Sequence, residues 1–209
     1  MIGLSERKVE KKKEVSLTMS RETTTALLGR VLKSNKLSEM GLLWAEEVTV
    51  NACHKDAKRI DFMSFKSSGC TFISDIEKGI FTCYEIKSCK EDVYSGNGLN
   101  FIGDENYLVI TMQTYKDILP DINSGRLRDY VRNNHIESSV NFGVLVTMPA
   151  SIDLRNTNKI FNEFTAPTEF NGDCTNWKLY KIIPCRKGFR KKSMAELLFC
   201  MLRAKHRSV

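Results

Sequence analysis

The sequence predicts a single α/β domain built around a mixed β-sheet. Three observations carry this expectation. The hydrophobic period switches from helical spacing near the N-terminus to alternation in the middle of the chain. A nearly continuous apolar run, Tyr107–Thr111, has the pattern of a strand buried on both faces. The order helix, strand, strand, strand, helix, strand is that of one layered α/β unit. With 209 residues the chain is long enough for one well-cored domain.

The elements follow in order. Residues 1–18 are a basic segment expected to be flexible, since Arg7–Glu14 mixes charges around a single apolar residue. Residues 19–209 form the domain. Ser20 is placed to cap a helix over 21–34, with Leu27, Leu28, Val31 and Leu32 on one face. Glu47–Asn51 and Arg59–Phe62 alternate polar and apolar residues, as strands do. Ile80–Lys87 is rich in strand formers, and Ser95–Gly98 breaks regular structure. Short helices are expected over 115–119 and 127–131, then strands over 140–148 and 179–183. Residues 153–177 are polar and carry no clear period. Ser193 and Glu196 form a capping-box signature ahead of Leu197, Leu198, Met201 and Leu202.

Composition narrows the function. The chain is 42% hydrophobic and 27% charged, and no apolar run approaches the ~20 residues of a membrane helix. No secretory signal pattern is present, so a cytoplasmic location and no membrane partner are expected. The seven cysteines are scattered without a C-x-x-C pair. They suit free thiols better than a zinc site, which needs four grouped ligands. The net charge of +7 suits a polyanionic partner, because lysines and arginines that neutralise phosphates release condensed counterions.

Chemistry concentrates on the segment around Ile80–Lys87. Glu85 and Lys87 stand two positions apart, so a strand puts both on one face while Tyr84 and Ile86 face the other way. Asp61 lies on the preceding strand. A hairpin of the two strands would bring Asp61 and Glu85 to one end. Two carboxylates suit magnesium, a hard cation that takes oxygen ligands and keeps water and substrate phosphate in its shell. Asp61, Glu85 and the backbone carbonyl of Ile86 are the expected metal ligands. Lys87 would orient the attacking water or stabilise charge on the phosphate. Glu47 is the preferred fourth carboxylate, ahead of Glu46 and Glu22. Taken alone, E-x-K on a strand is as readily a surface ion pair worth about 0–1 kcal/mol.

The surrounding text resembles a known family. Arg59–Phe62 (RIDF), Gly79–Ser88 (GIFTCYEIKS), Glu91–Ser95 (EDVYS) and Glu105–Thr111 (ENYLVIT) resemble the MmcB-like DNA-repair proteins and related phage and mobile-element proteins of Gram-positive bacteria. These lie within the PD-(D/E)XK, or restriction-endonuclease-like, superfamily. Ser193–Arg203 is similar to the C-terminal helix of the phage branch. The resemblance is dense over residues 45–118. It implies a three-layer α/β/α core with a central mixed sheet, magnesium (or manganese) dependence, and DNA as substrate. RNA remains open, as does a homodimer. Asp61, Glu85 and Lys87 take the positions of the superfamily Asp, Glu and Lys, and Glu47 that of an acidic residue before the first strand. Ile60 replaces the proline of the motif. The connection between Asp61 and Glu85 carries an extra loop over 66–75, and residues 124–138 look inserted. The glycines between Ser95 and Gly103 weaken the helix expected after the E-x-K strand. The implied function is a metal-dependent DNA nuclease, with an inactive DNA-binding or host-defence-modulating module as the alternative.

Other features are weighed on the same scale. Arg186, Lys187, Arg190, Lys191 and Lys192 surround Phe189 and are the expected nucleic-acid contacts, with a base stacking on the ring. Arg126, Arg128 and Arg132 do not form one stripe. His135 would suit a general base, although the superfamily reads without a histidine. Cys83 and Cys89 would share the face of Glu85 and are read as packing residues.

Overall fold

A computed structural model describes residues 19–69 and 72–205. The N-terminal charged run therefore lies outside the described residues. The elements are α1 (Arg21–Leu32), β1 (Leu42–Val50), β2 (Lys58–Lys66), α2 (Ile73–Glu77), β3 (Ile80–Lys87), α3 (Lys90–Val93), β4 (Glu105–Thr111), α4 (Met112–Asn123), α5 (Arg126–Asn134), β5 (Gly143–Pro149), α6 (Thr157–Thr165), β6 (Trp177–Ile183) and α7 (Met194–Lys205). A π-helical turn, Lys33–Leu37, extends α1, and a short 3-10 turn, Cys174–Asn176, precedes β6.

The six strands form one sheet in sequential order. β1–β2 and β2–β3 are antiparallel, β3–β4 and β4–β5 parallel, and β5–β6 antiparallel. The sheet is therefore mixed. Parallel neighbours need crossover connections. Residues 88–104 make the first crossover, from β3 to β4. α4 and α5 make the second.

Helices cover both faces. Ser20 caps α1, its Oγ accepting the Thr23 N–H at 3.2 Å. The opening Arg-Glu-Thr-Thr-Thr is a weak helix former. Packing decides the matter, because Leu27, Leu28, Val31 and Leu32 are all fully buried. Each contributes about 1.5–3 kcal/mol by burial. They pack against Phe62, Tyr84, Ile86, Tyr107 and Val109. On the opposite face, α4 and α5 pack with Phe101 against Leu108, Ile110, Val144 and Val146. α7 closes the rest of that face over Ile60, Met63, Phe65, Phe81 and Cys83. The result is three layers, α/β/α. Ser193 caps α7, its Oγ accepting the Glu196 N–H at 3.2 Å.

Several boundaries differ from the sequence expectation. β1 begins at Leu42, well before Glu47, and β2 continues to Lys66. The alternation fails there because Phe62–Phe65 is buried on both sides. The polar region 153–177 contains α6, which Asn156 caps by accepting the Lys159 N–H at 3.3 Å. Its Ile160 and Phe164 pack on the core beside α4. The helix after β3 is a single turn, α3, cut short by Gly96 and Gly98 in left-handed conformation.

Candidate active site

The site forms where two paired strands separate. The β2–β3 ladder runs from Lys66↔Ile80 to Phe62↔Tyr84 and stops. One residue further on, the Asp61 side chain takes over the role of the backbone. Its Oδ2 accepts the Ile86 N–H at 2.7 Å. The N–H and C=O of one extended residue point to the same side. The Ile86 carbonyl therefore faces the same gap as Asp61. Asn100, from the crossover, bridges the gap more deeply. Its Nδ2 donates to the Arg59 carbonyl at 2.8 Å, and its backbone N–H donates to Glu85 Oε1 at 3.1 Å.

Glu85 and Lys87 share a face of β3, as their spacing requires. Glu85 is 0% exposed and its Oε2 has no hydrogen-bond partner. Lys87 is 5% exposed. Its Nζ donates to the Asn97 carbonyl at 2.7 Å and lies 3.5 Å from Asp92 Oδ1. Asp92 in turn accepts the Ser88 N–H at 3.0 Å, tying α3 to the end of β3. Gly98 closes over both side chains. A Cβ there would stand 2.7 Å from Glu85 Oε2 and 2.9 Å from Lys87 Nζ.

Electrostatics follow from burial. Loss of solvent, and then the Asp61 charge, push Glu85 well above the usual carboxylate range, against the pull of Lys87. Asp61 is raised as well, chiefly by burial, while the Ile86 N–H and Lys87 oppose it. Two carboxyls held in this way favour a shared proton or a bound cation. The donors suit a hard divalent ion. They are two carboxylates and a carbonyl, with one buried oxygen unpaired. Among the described residues no group of three or more His, Cys, Asp or Glu stands ready to hold an ion by side chains alone. A metal here would therefore rely on Asp61, Glu85 and the Ile86 carbonyl, with water and phosphate completing the shell, as magnesium commonly does.

Asp61, Ile86 and Lys87 line a cleft of about 880 Å3. Its walls add residues that sequence reasoning had not assembled. Asp92 and Asn100 come from the crossover, and Asn134 and His135 from the end of α5. His135 is 7% exposed, and its Nε2 lacks a partner. Burial, then the charges of Lys87 and Lys58, hold its pKa below the usual value. The one sequence signal for Asp92 was its position in the first turn after Ser88, where an acid reaches back to free N–H groups.

Other expected residues lie elsewhere. Glu47 sits between the pairs Glu46↔Phe62 and Val48↔Ile60, across from Asp61, but its left-handed φ of 51° drops it from the ladder. Its carboxylate is exposed, pairs with Arg59 at 3.7 Å and is not among the cleft-lining groups. Glu46 bonds Lys33 at 2.8 Å, and Glu22 is exposed on α1. The basic run 186–192 does not line the cleft either. Arg190 is committed to Asp104 at 3.1 Å and to the face of Phe81, and Lys192 donates to Asn51 at 2.9 Å. Arg186, Lys187 and Lys191 are exposed. Arg126 and Arg132 pair with Asp121 and Asp129, and Arg128 is exposed. Cys83 does share the Glu85 face, but it is fully buried and burial pushes its thiol up to about 12. Cys89 is half-buried at the start of α3, and the six described cysteines are free thiols.

Comparison with protein-family models, curated proteins and solved structures gives no match. Among the described residues no helix is long and apolar enough to cross a membrane.

Proposed function

We propose that this protein is a metal-dependent nuclease of the PD-(D/E)XK type, hydrolysing DNA phosphodiester bonds in DNA repair or in the processing of phage or mobile-element DNA. The observation that carries this reading is Glu85. A fully buried carboxylate with one unpaired oxygen, just behind the cleft-lining Asp61 and Lys87, costs several kcal/mol in its charged form unless something repays it. A proton repays it in the metal-free protein, and a cation would take that proton's place. The sequence resemblance adds the phosphodiester chemistry.

Asp61, Glu85 and the Ile86 carbonyl would hold magnesium or manganese. Such an ion supplies Lewis-acid polarisation of a phosphate and a more acidic bound water. Asn100 fixes Glu85 by its backbone N–H, so the carboxylate is set before any ligand arrives. The Asn97 carbonyl and Asp92 hold the Lys87 ammonium in place, ready to stabilise charge on the phosphate.

A second reading draws on that same lysine. Its charge is already answered by Asp92, which suits a catalytically weak DNA-binding or host-defence-modulating module. Cleavage assays separate the two. With magnesium or manganese, Asp61→Ala and Lys87→Ala should each lose at least about 100-fold in rate while remaining folded. Lys87→Ala cutting as fast as wild type would refute the nuclease reading. Calorimetry that shows no millimolar-range manganese binding, alongside salt-sensitive DNA affinity, would favour the second.

A further inference from the structure

We propose that the cleft takes a single strand of DNA and excludes an intact duplex. The inference rests on the nuclease reading for its substrate class and on three features of the cleft for its form.

The first is depth. Lys87, which lines the cleft, is only 5% exposed and lies beneath Gly98. A duplex carries its phosphates on the outside of a wide rod and cannot lower one to such a floor. A flexible strand can. The volume of about 880 Å3 lies within the ~300–1,000 Å3 typical of small-ligand sites.

The second is enclosure. Lys58, at the start of β2, donates to the Ile136 carbonyl and lies 3.6 Å from Glu137. These contacts join the wall formed by the β1–β2 turn to the wall that follows α5. All three residues line the cleft.

The third is charge. The lining cations are Lys58, Arg59 and Lys87, against the acids Asp56, Asp61, Asp92 and Glu137. Each cation already has a carboxylate within 4 Å, respectively Glu137, Glu47 and Asp92. Proteins that grip duplex DNA commonly make about 6–10 phosphate contacts. This lining cannot supply them. It offers groups that read and cover bases instead. Asn97 carries an amide, Asn100 and Asn134 offer their amide oxygens while their Nδ2 groups donate to the Arg59 and Tyr130 carbonyls, and the buried His135 Nε2 has an unused hydrogen-bonding position. Ile136 presents an apolar surface that is 79% exposed. Unpaired bases are recognised by hydrogen bonds to their edges, which such polar groups can supply.

The test uses the full chain and fluorescein-labelled 30-mers of one sequence. They are prepared as single-stranded DNA, blunt duplex, duplex with a single-stranded flap, and single-stranded RNA. Anisotropy in calcium measures binding, and gel assays in manganese measure cutting. Single-stranded and flapped DNA should bind at least about tenfold more tightly than blunt duplex. Ile136→Asp, an exposed substitution checked for folding by circular dichroism, should weaken single-strand binding about fivefold or more, and Asn134→Asp should do the same. Equal or tighter binding of duplex overturns the inference. So does single-strand binding unchanged in both variants, which would place the strand elsewhere, for instance on Arg186, Lys187 and Lys191. RNA bound more tightly than DNA overturns the choice of DNA. Strand preference without cutting of any substrate would count against the nuclease reading alone.

Discussion

Replacing Gly98 with alanine tests whether the closure over Glu85 and Lys87 matters. Gly98 has φ +73°, so any Cβ pays roughly 1–2 kcal/mol for the left-handed backbone. The new methyl would also stand 2.7 Å from Glu85 Oε2 and 2.9 Å from Lys87 Nζ. Both atoms end flexible side chains, but both side chains are buried and held by Asn100, Asn97 and Asp92. Forcing them aside costs a further ~1–3 kcal/mol, the usual range for overpacking. Gly96 supplies the control, with φ +81° and nothing within 4 Å of its Cβ position. Gly96→Ala pays for the backbone alone. With the steric cost taken as about 2 kcal/mol, Gly98→Ala should melt ~4–8 °C below Gly96→Ala for a domain of this size. Differential scanning fluorimetry measures that gap. Manganese calorimetry should show an affinity loss of about tenfold or more in Gly98→Ala only, because the carboxylate has been displaced. Equal melting temperatures, with manganese affinity the same in both variants, would refute the argument that Gly98 sets the positions of Glu85 and Lys87.

Further outcomes can be checked separately. Because the folded-state pKa of Glu85 is raised above the usual 4.5, its contribution to stability is fully present below that pH and is lost as pH rises through the raised value. Glu85→Gln should therefore stabilise the metal-free protein at neutral pH and flatten its denaturation-versus-pH profile, while removing manganese binding. A profile as steep as wild type would disprove the assignment. Metal affinity of the wild type should rise with pH over the same window, since binding expels the proton, and calorimetry in buffers of different ionisation enthalpy reads that release. Arg190→Ala should cost about 1–3 kcal/mol in urea denaturation by stripping a partner from Asp104, which is 6% exposed, whereas Lys187→Ala should stay within about 0.5 kcal/mol. In the native protein a thiol reagent should label exposed Cys53 quickly and leave Cys83 untouched, as mass spectrometry of the peptides would show.

Much of the sheet was legible because strand chemistry is local. Ile80–Lys87 emerged with the bounds expected of it, since its side chains are strand formers and its polar pair falls on one parity. Asp61 reached the site because the antiparallel pairing of β2 with β3 places it one residue beyond the end of the ladder, beside Ile86. What could not be read depends on partners distant in sequence. Nothing in the run around Arg190 announces its ion pair with Asp104, which lies far away in sequence. Asn100 and His135 belong to irregular segments, where no period says which way a side chain points. Glu47 had the right strand and the right neighbour, but a left-handed φ is not visible in a glutamate's identity. α6 was missed because its apolar positions are few and its face is shared with solvent.

Asn100 has a consequence for how such a protein could change. Asp61, Glu85, Lys87, Asp92, Asn97 and Asn100 all come from one uninterrupted stretch of chain, and Asn100 locks its two ends together through Arg59 and Glu85. The wall bearing Asn134, His135 and Ile136 arrives from a separate excursion after α4. The carboxylate–lysine floor and the facing wall are thus encoded apart. Exchanging the excursion, by recombination or by design, could retune what enters while the floor stays as it is.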